Sequence, residues 1–171
     1  MYIEMRKTLI MLLFVFSCIL YFTLSIPSNS IWMDQTMAIN IAKDIIDGNF
    51  PLVGYVSSNG MHTFPVFYYL VAPLVYISEE PIFLYWSVAF FNIVGIILLA
   101  NYTFKKYGYL ESIILLLFSA THVWSLYFSS FFWNPNYIPF FMCMFIIFLS
   151  KLLNESKSVI YFHLSGILIN I

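Results

Sequence analysis

Four apolar runs in this sequence reach the length needed to cross a membrane, since a helix spanning the hydrocarbon of a bilayer takes about 20 such residues. Thr8 to Ile26 is the first, preceded by Arg6 and Lys7 and followed by Pro27, Ser28, Asn29 and Ser30. Pro81 to Ala100 is the second, interrupted only by Ser87 and Asn92, and Tyr109 to Phe128 and Tyr137 to Leu153 are the third and fourth. A fifth run begins at Ser158 and is still apolar at Ile171, which reads as an incomplete span in an N-terminal fragment. With 62% apolar residues, 9% charged residues and a mean hydropathy of +0.90, the chain lies well outside the range of soluble globular domains. The expectation is an all-α integral membrane protein, a multi-span helical bundle.

The same composition excludes several classes. A net charge of -1 and seven scattered Lys and Arg residues supply no basic surface for a phosphate backbone, so nucleic acid is not an expected partner. Cys18 and Cys143 sit inside apolar runs, where a thiol behaves as a small hydrophobe, and two isolated cysteines cannot build a zinc site. No cofactor is expected. Phe16 before Ser17 and Cys18 spoils a lipoprotein-type processing site, and no small-x-small signal follows Leu24, so the N-terminal run reads as a retained anchor.

Phe64 to Ser78 is apolar but short and is broken by Pro65 and Pro73. Basic residues collect on the cytoplasmic flanks of spans. If Phe64 to Ser78 does not cross, then Arg6, Lys7, Lys105, Lys106, Lys151 and Lys157 share one side, and Lys43 alone lies opposite. If it does cross, that bias is lost. The segment therefore reads as an interfacial or re-entrant helix, with the N-terminus inside and a long outer loop from Pro27 to Glu80.

Within that loop, Met37, Ala38, Ile41, Ala42, Ile45 and Ile46 recur at helical spacing, while Asn40, Lys43, Asp44 and Asp47 fall on the other face and Gly48 supplies a stop. A surface helix from about Met33 to Asp47 is expected, giving two interfacial outer helices between the first and second spans. Asp34 falls in its first turn, where unpaired N–H groups and the helix dipole favour a carboxylate. Capping alone, worth about 1 kcal/mol, accounts for it. Pro51-Leu52-Val53-Gly54-Tyr55 and Ser57-Ser58-Asn59-Gly60 form a turn-rich return toward the membrane. His62 and Thr63 then precede a Pro-and-Tyr helix suited to an aromatic belt. At a second outer turn, Trp133-Asn134-Pro135-Asn136 ends one helix and starts the next.

An outer Asp at the start of a surface helix, Pro51-Leu52-Val53-Gly54, the Pro-plus-tyrosine helix and the Trp-Asn-Pro-Asn turn together resemble polyprenyl-phosphate-sugar-dependent glycosyltransferases of the GT-C fold. Closest are the bacterial relatives of the protein O-mannosyltransferases, glycosyltransferase family 39. The resemblance implies inverting transfer of a sugar from a lipid-linked phosphate carrier to an acceptor at the outer face of a bacterial cytoplasmic membrane. By carry-over Asp34 is the general base, and His62, Tyr68, Asn134 and Asn136 contact the substrates. The implied partners are membrane lipid and a polyprenyl-phosphate-linked donor, with the acceptor unassigned.

Two positions depart from the family pattern. Gln35 stands where many members place a second carboxylate, and His62-Thr63-Phe64 replaces a lysine that would face the leaving phosphate, which leaves the phosphate partner unidentified: His62 could serve if protonated, and Lys43, the only outer lysine, reads as a solvated helix-face residue. A metal site of Asp34 with neutral Asn134 and Asn136 is too poor in charge for a hard divalent cation, so none is expected. Asn92 and His122, inside apolar runs, read as interhelical hydrogen-bonding groups, and Glu111 as a first-turn acid. A transporter or channel subunit is the rival reading, with Asn92 and His122 lining a path; a non-catalytic remnant is another.

Overall fold

The computed structural model describes residues 33–57, 60–129 and 131–154, together with parts of the N-terminal run (8–9, 12–13, 15–20 and 23). The expectations for Pro27 to Ser30, Arg6, Lys7, Lys157 and the fifth run concern residues outside those described. Among those described the chain is helical, with no strand and one isolated antiparallel bridge, Val56 to His62.

Helix α1 (Met33–Ile46) leads through a loop to α2 (Val66–Ile77), α3 (Pro81–Lys106) and α4 (Tyr109–Thr121). A short α5 (Val123–Phe128), a 3-10 turn (Asn134–Tyr137) and α6 (Ile138–Asn154) follow. Among the described residues two stretches are long and apolar enough to cross a membrane: Pro81–Lys106 and Asn134–Leu153. At 1.5 Å per residue α3 extends about 39 Å, whereas the 12 residues of α2 reach only about 18 Å, well short of a 30 Å hydrocarbon core.

The third expected span does not form as one helix. His122 takes an extended backbone (φ -74°, ψ 106°) that separates α4 from α5. Two side chains prepare the break: Ser119 Oγ and Thr121 Oγ1 donate to the Leu115 and Leu117 carbonyls, the back-bonding that bends helices. His122 Nδ1 then accepts from the Ser125 amide at 3.3 Å, starting α5. His122 is thus a helix cap rather than interhelical glue.

Helices α3 and α6 run in the same direction. Near their starts, Tyr137 OH meets Ser87 Oγ at 2.7 Å; near their ends, Lys106 Nζ donates to Ser150 Oγ at 2.6 Å. Gly95 makes the approach possible, because a Cβ there would sit 3.0 Å from Phe140 Cα. The N-terminal helical stretch packs through Cys18 on Ala89 and Ile93 of α3.

The main core joins α1, α2 and the start of α3. Ala38, Ile39, Ala42 and Ile45 of α1 pack with Val71, Ala72 and Val75 of α2, and with Leu84, Tyr85, Val88, Phe132 and Tyr137. The buried face of α1 is rotated from the expected one, with Gln35 and Ile39 inside, Met37 and Ile41 half-buried, and Ile46 exposed.

Candidate functional site

The loop between α1 and α2 closes into a short hairpin that carries one wall of the site. Gly54 N donates to Thr63 O and Thr63 N to Tyr55 O, both at 2.9 Å, and Ser57 N donates to Met61 O at 2.8 Å. Gly60 (φ 79°) lets the chain reverse, as the Asn-Gly pair anticipated. Gly54 has a different reason to be glycine: a Cβ there would collide with Thr63 Oγ1, the Thr63 carbonyl and the Tyr68 ring.

That contact sets Tyr68. Its hydroxyl meets Thr63 Oγ1 at 2.7 Å, its ring lies edge-on to Tyr55 at 6.3 Å, and its side chain is fully buried. Phe67 packs edge-on against Tyr137 and tilted against Phe132. The second turn arrives from the other side. Asn136 Nδ2 donates to Phe131 O at 2.7 Å, closing the turn from within, and Asn92 Nδ2 donates both to Asn136 O at 2.9 Å and to Ser129 Oγ at 2.8 Å. The side-chain oxygens of Asn92 and Asn136 are buried with no partner among the described residues. Trp133, just before the turn, stacks on Phe131.

Between these walls lies a small, partly open cleft lined by Asp34, Gln35, Ala38, Tyr55, Phe67, Tyr68, Phe132, Trp133 and Asn134. Asp34, exposed in the first turn of α1, is the one charged side chain of that lining. Five of the other lining residues are aromatic. The phenols of Tyr55 and Tyr68 are both pushed above their ordinary value, chiefly by burial, with the Asp34 charge adding in the same direction; the Thr63 hydrogen bond opposes this at Tyr68. A hydroxyl that keeps its proton beside a carboxylate is a hydrogen-bond donor for a ligand oxygen.

Of the five positions expected from the sequence, the structure brings Asp34, Tyr68 and Asn134 to the cleft. It does not bring the other two. His62 is exposed on the hairpin, with Nδ1 donating to Gly54 O at 2.9 Å, and the Asn136 side chain is buried inside its own turn. Lys43 is ion-paired with Glu79 at 2.6 Å, and no cationic side chain lines the cleft among the described residues. Gln35 is buried with Oε1 accepting from Tyr85 OH at 3.4 Å. Tyr55, Thr63, Phe132 and Trp133 were not singled out as site residues. Only the alternation of the hairpin, which turns Tyr55 to the side opposite Val56, carried a local signal.

The cleft and the lysines are at opposite ends of the bundle. Gln35 touches Tyr85 near the start of α3, while Lys105 and Lys106 end that helix and Lys151 ends α6, about 30 Å away at helical rise. No protein-family model, curated protein or solved structure matches the chain.

Proposed function

We propose that the chain is a multi-span membrane glycosyltransferase that moves a sugar from a polyprenyl-phosphate donor to an acceptor at the outer face of a bacterial cytoplasmic membrane. The observation that carries this reading is the cleft itself, whose lining brings the Asp34 carboxylate together with Tyr68 and Asn134, from two distant segments, and an aromatic wall. The lysine end lies about one bilayer thickness away, which supports an outward-facing cleft by the bias of basic residues toward the cytoplasm.

In this reading Asp34 accepts the proton of an acceptor hydroxyl as its oxygen attacks the anomeric carbon. The bond from that carbon to the phosphate oxygen breaks, and the polyprenyl phosphate leaves with the bonding pair, so configuration inverts. Tyr55, held protonated, donates to a sugar oxygen, Tyr68 braces that wall through its hydrogen bond with Thr63, and the exposed aromatic rings pack on the apolar face of the sugar. The donor's lipid stays in the bilayer while its phosphate and sugar reach headgroup level, where the cleft sits. The transporter reading draws less support, because Asn92 and His122 are engaged in holding a turn and capping a helix.

The test is transfer from a polyprenyl-phosphate-linked hexose, followed as release of polyprenyl phosphate in membranes that contain the protein. Asp34→Asn abolishes release while membrane abundance is unchanged. Undiminished release by that variant removes Asp34 from the reaction.

A further inference from the structure

From Gly48 to Ser78 the sequence holds no Asp, Glu, Lys or Arg, although Asp44 and Asp47 precede this segment and Glu79 and Glu80 follow it. The Lys43–Glu79 ion pair joins its two ends. A water-exposed loop of this length ordinarily carries charge, and the exposed side chains here are instead large and apolar.

They are also contiguous. On α2 the buried stripe is Tyr68, Val71, Ala72 and Val75, and the opposite stripe, Val66, Tyr69, Pro73 and Tyr76, is exposed at the same helical spacing. Phe50 stacks on Tyr69 with ring centroids 6.5 Å apart, and Tyr69 OH donates to Pro51 O at 3.0 Å. This fixes the next turn of chain, in which Leu52 is 88% exposed and Val53 54%, against the same face. One apolar surface therefore runs from Tyr76 through Tyr69 and Phe50 to Leu52.

We infer that this surface is a lipid-immersed lip: the Phe50–Val53 turn and the outward stripe of α2 enter the outer leaflet, and the Lys43–Glu79 pair marks the water boundary. The occupant is lipid rather than protein because the surface is charge-free over its whole length, carries tyrosines with polar tips, and adjoins the start of α3, a helix of membrane-crossing length. Tyr68, which lines the cleft, is the neighbour of Tyr69, so the depth of the lip sets the depth of the cleft. The inference does not rest on sugar transfer, and it holds for any ligand of that cleft.

The test is nitroxide accessibility in the full chain, with Cys18→Ser and Cys143→Ser as background, reconstituted in phosphatidylcholine–phosphatidylglycerol vesicles. Labels are placed singly by Leu52→Cys, Val53→Cys, Tyr76→Cys and, on the polar face of α1, Asp44→Cys. All four positions are exposed in the folded chain, and Val53→Cys supplies an independent reading of the turn should Leu52→Cys fail to reconstitute. The expected result is collision with oxygen several-fold above that with a water-soluble nickel chelate at 52, 53 and 76, and the reverse at 44. Nickel access at 52 and 53 equal to that at 44 overturns the inference in favour of an aqueous loop. Exclusion of both reagents at 52, 53 and 76 overturns it in favour of a covering protein.

Discussion

Helices α1 and α2 are packed on each other, are of similar length and bury stripes of the same kind, yet their outward faces differ completely. On α1 the face away from the core presents Thr36, Asn40 and Asp44; on α2 it presents Val66, Tyr69, Pro73 and Tyr76. The buried stripe of small and β-branched residues decides which helices pair, and the opposite face decides the medium each one meets. The cleft takes Asp34 from the first of these helices and Tyr68 from the second, so with the inferred lipid-immersed lip one of its walls would lie in water and the other toward lipid.

The sharpest way to break the comparison is to put the same charge on both outward faces. Tyr76 is 76% exposed, so in water Tyr76→Asp would change stability by less than about 0.5 kcal/mol. On a lipid-facing helix it costs up to about 2.5–3.5 kcal/mol, and the membrane-inserted fraction falls steeply, whereas Asn40→Asp on α1 leaves insertion unchanged. Quantifying the protein resistant to carbonate extraction reads both. Next in size is Gly54→Ala, whose added methyl meets Thr63 and the Tyr68 ring; thermal unfolding in detergent should show a loss of about 1–3 kcal/mol. The Lys43–Glu79 tie between the two helices is surface-exposed, and a double-mutant cycle with Lys43→Met and Glu79→Gln should return about 0.2–1 kcal/mol, shrinking with added salt.

The smallest effect is in alkali. The folded chain holds Tyr55 and Tyr68 above the ordinary phenol value of 10.0, so it favours their protonated forms. Their contribution to stability is complete below pH 10 and is lost as the pH rises through the folded values. The difference in phenolate absorbance between the parent and Tyr68→Phe should show a midpoint above 10.

Much of this contrast was legible in the sequence. The apolar spacing and the Gly48 stop placed a helix over Met33 to Asp47, against Met33–Ile46 observed, and the proline-broken run from Phe64 to Ser78 holds a helix too short to span. Asn134-Pro135-Asn136 does mark a turn between helices. Burial of Gln35 was not legible, because it depends on Tyr85, fifty residues away. The break at His122 falls within a run with neither Gly nor Pro, and its signal was the pair of hydroxyls at Ser119 and Thr121 rather than hydropathy. His62 and Asn136 sit close to the cleft in sequence, but hairpin register sends one to the Gly54 carbonyl, and the 3-10 turn folds the other inward. Local spacing fixes which face a residue occupies on its own element, and long-range packing decides what that face meets.

The proposed reading requires the cleft and the lysine ends of α3 and α6 to lie on opposite sides of one membrane. Single cysteines introduced by Asn40→Cys and Lys105→Cys, both exposed positions, in the Cys18→Ser, Cys143→Ser chain test this directly in intact cells with an impermeant maleimide. Labelling at 40 alone, with 105 reacting only after permeabilisation, is the predicted result; labelling of 105 in intact cells contradicts it.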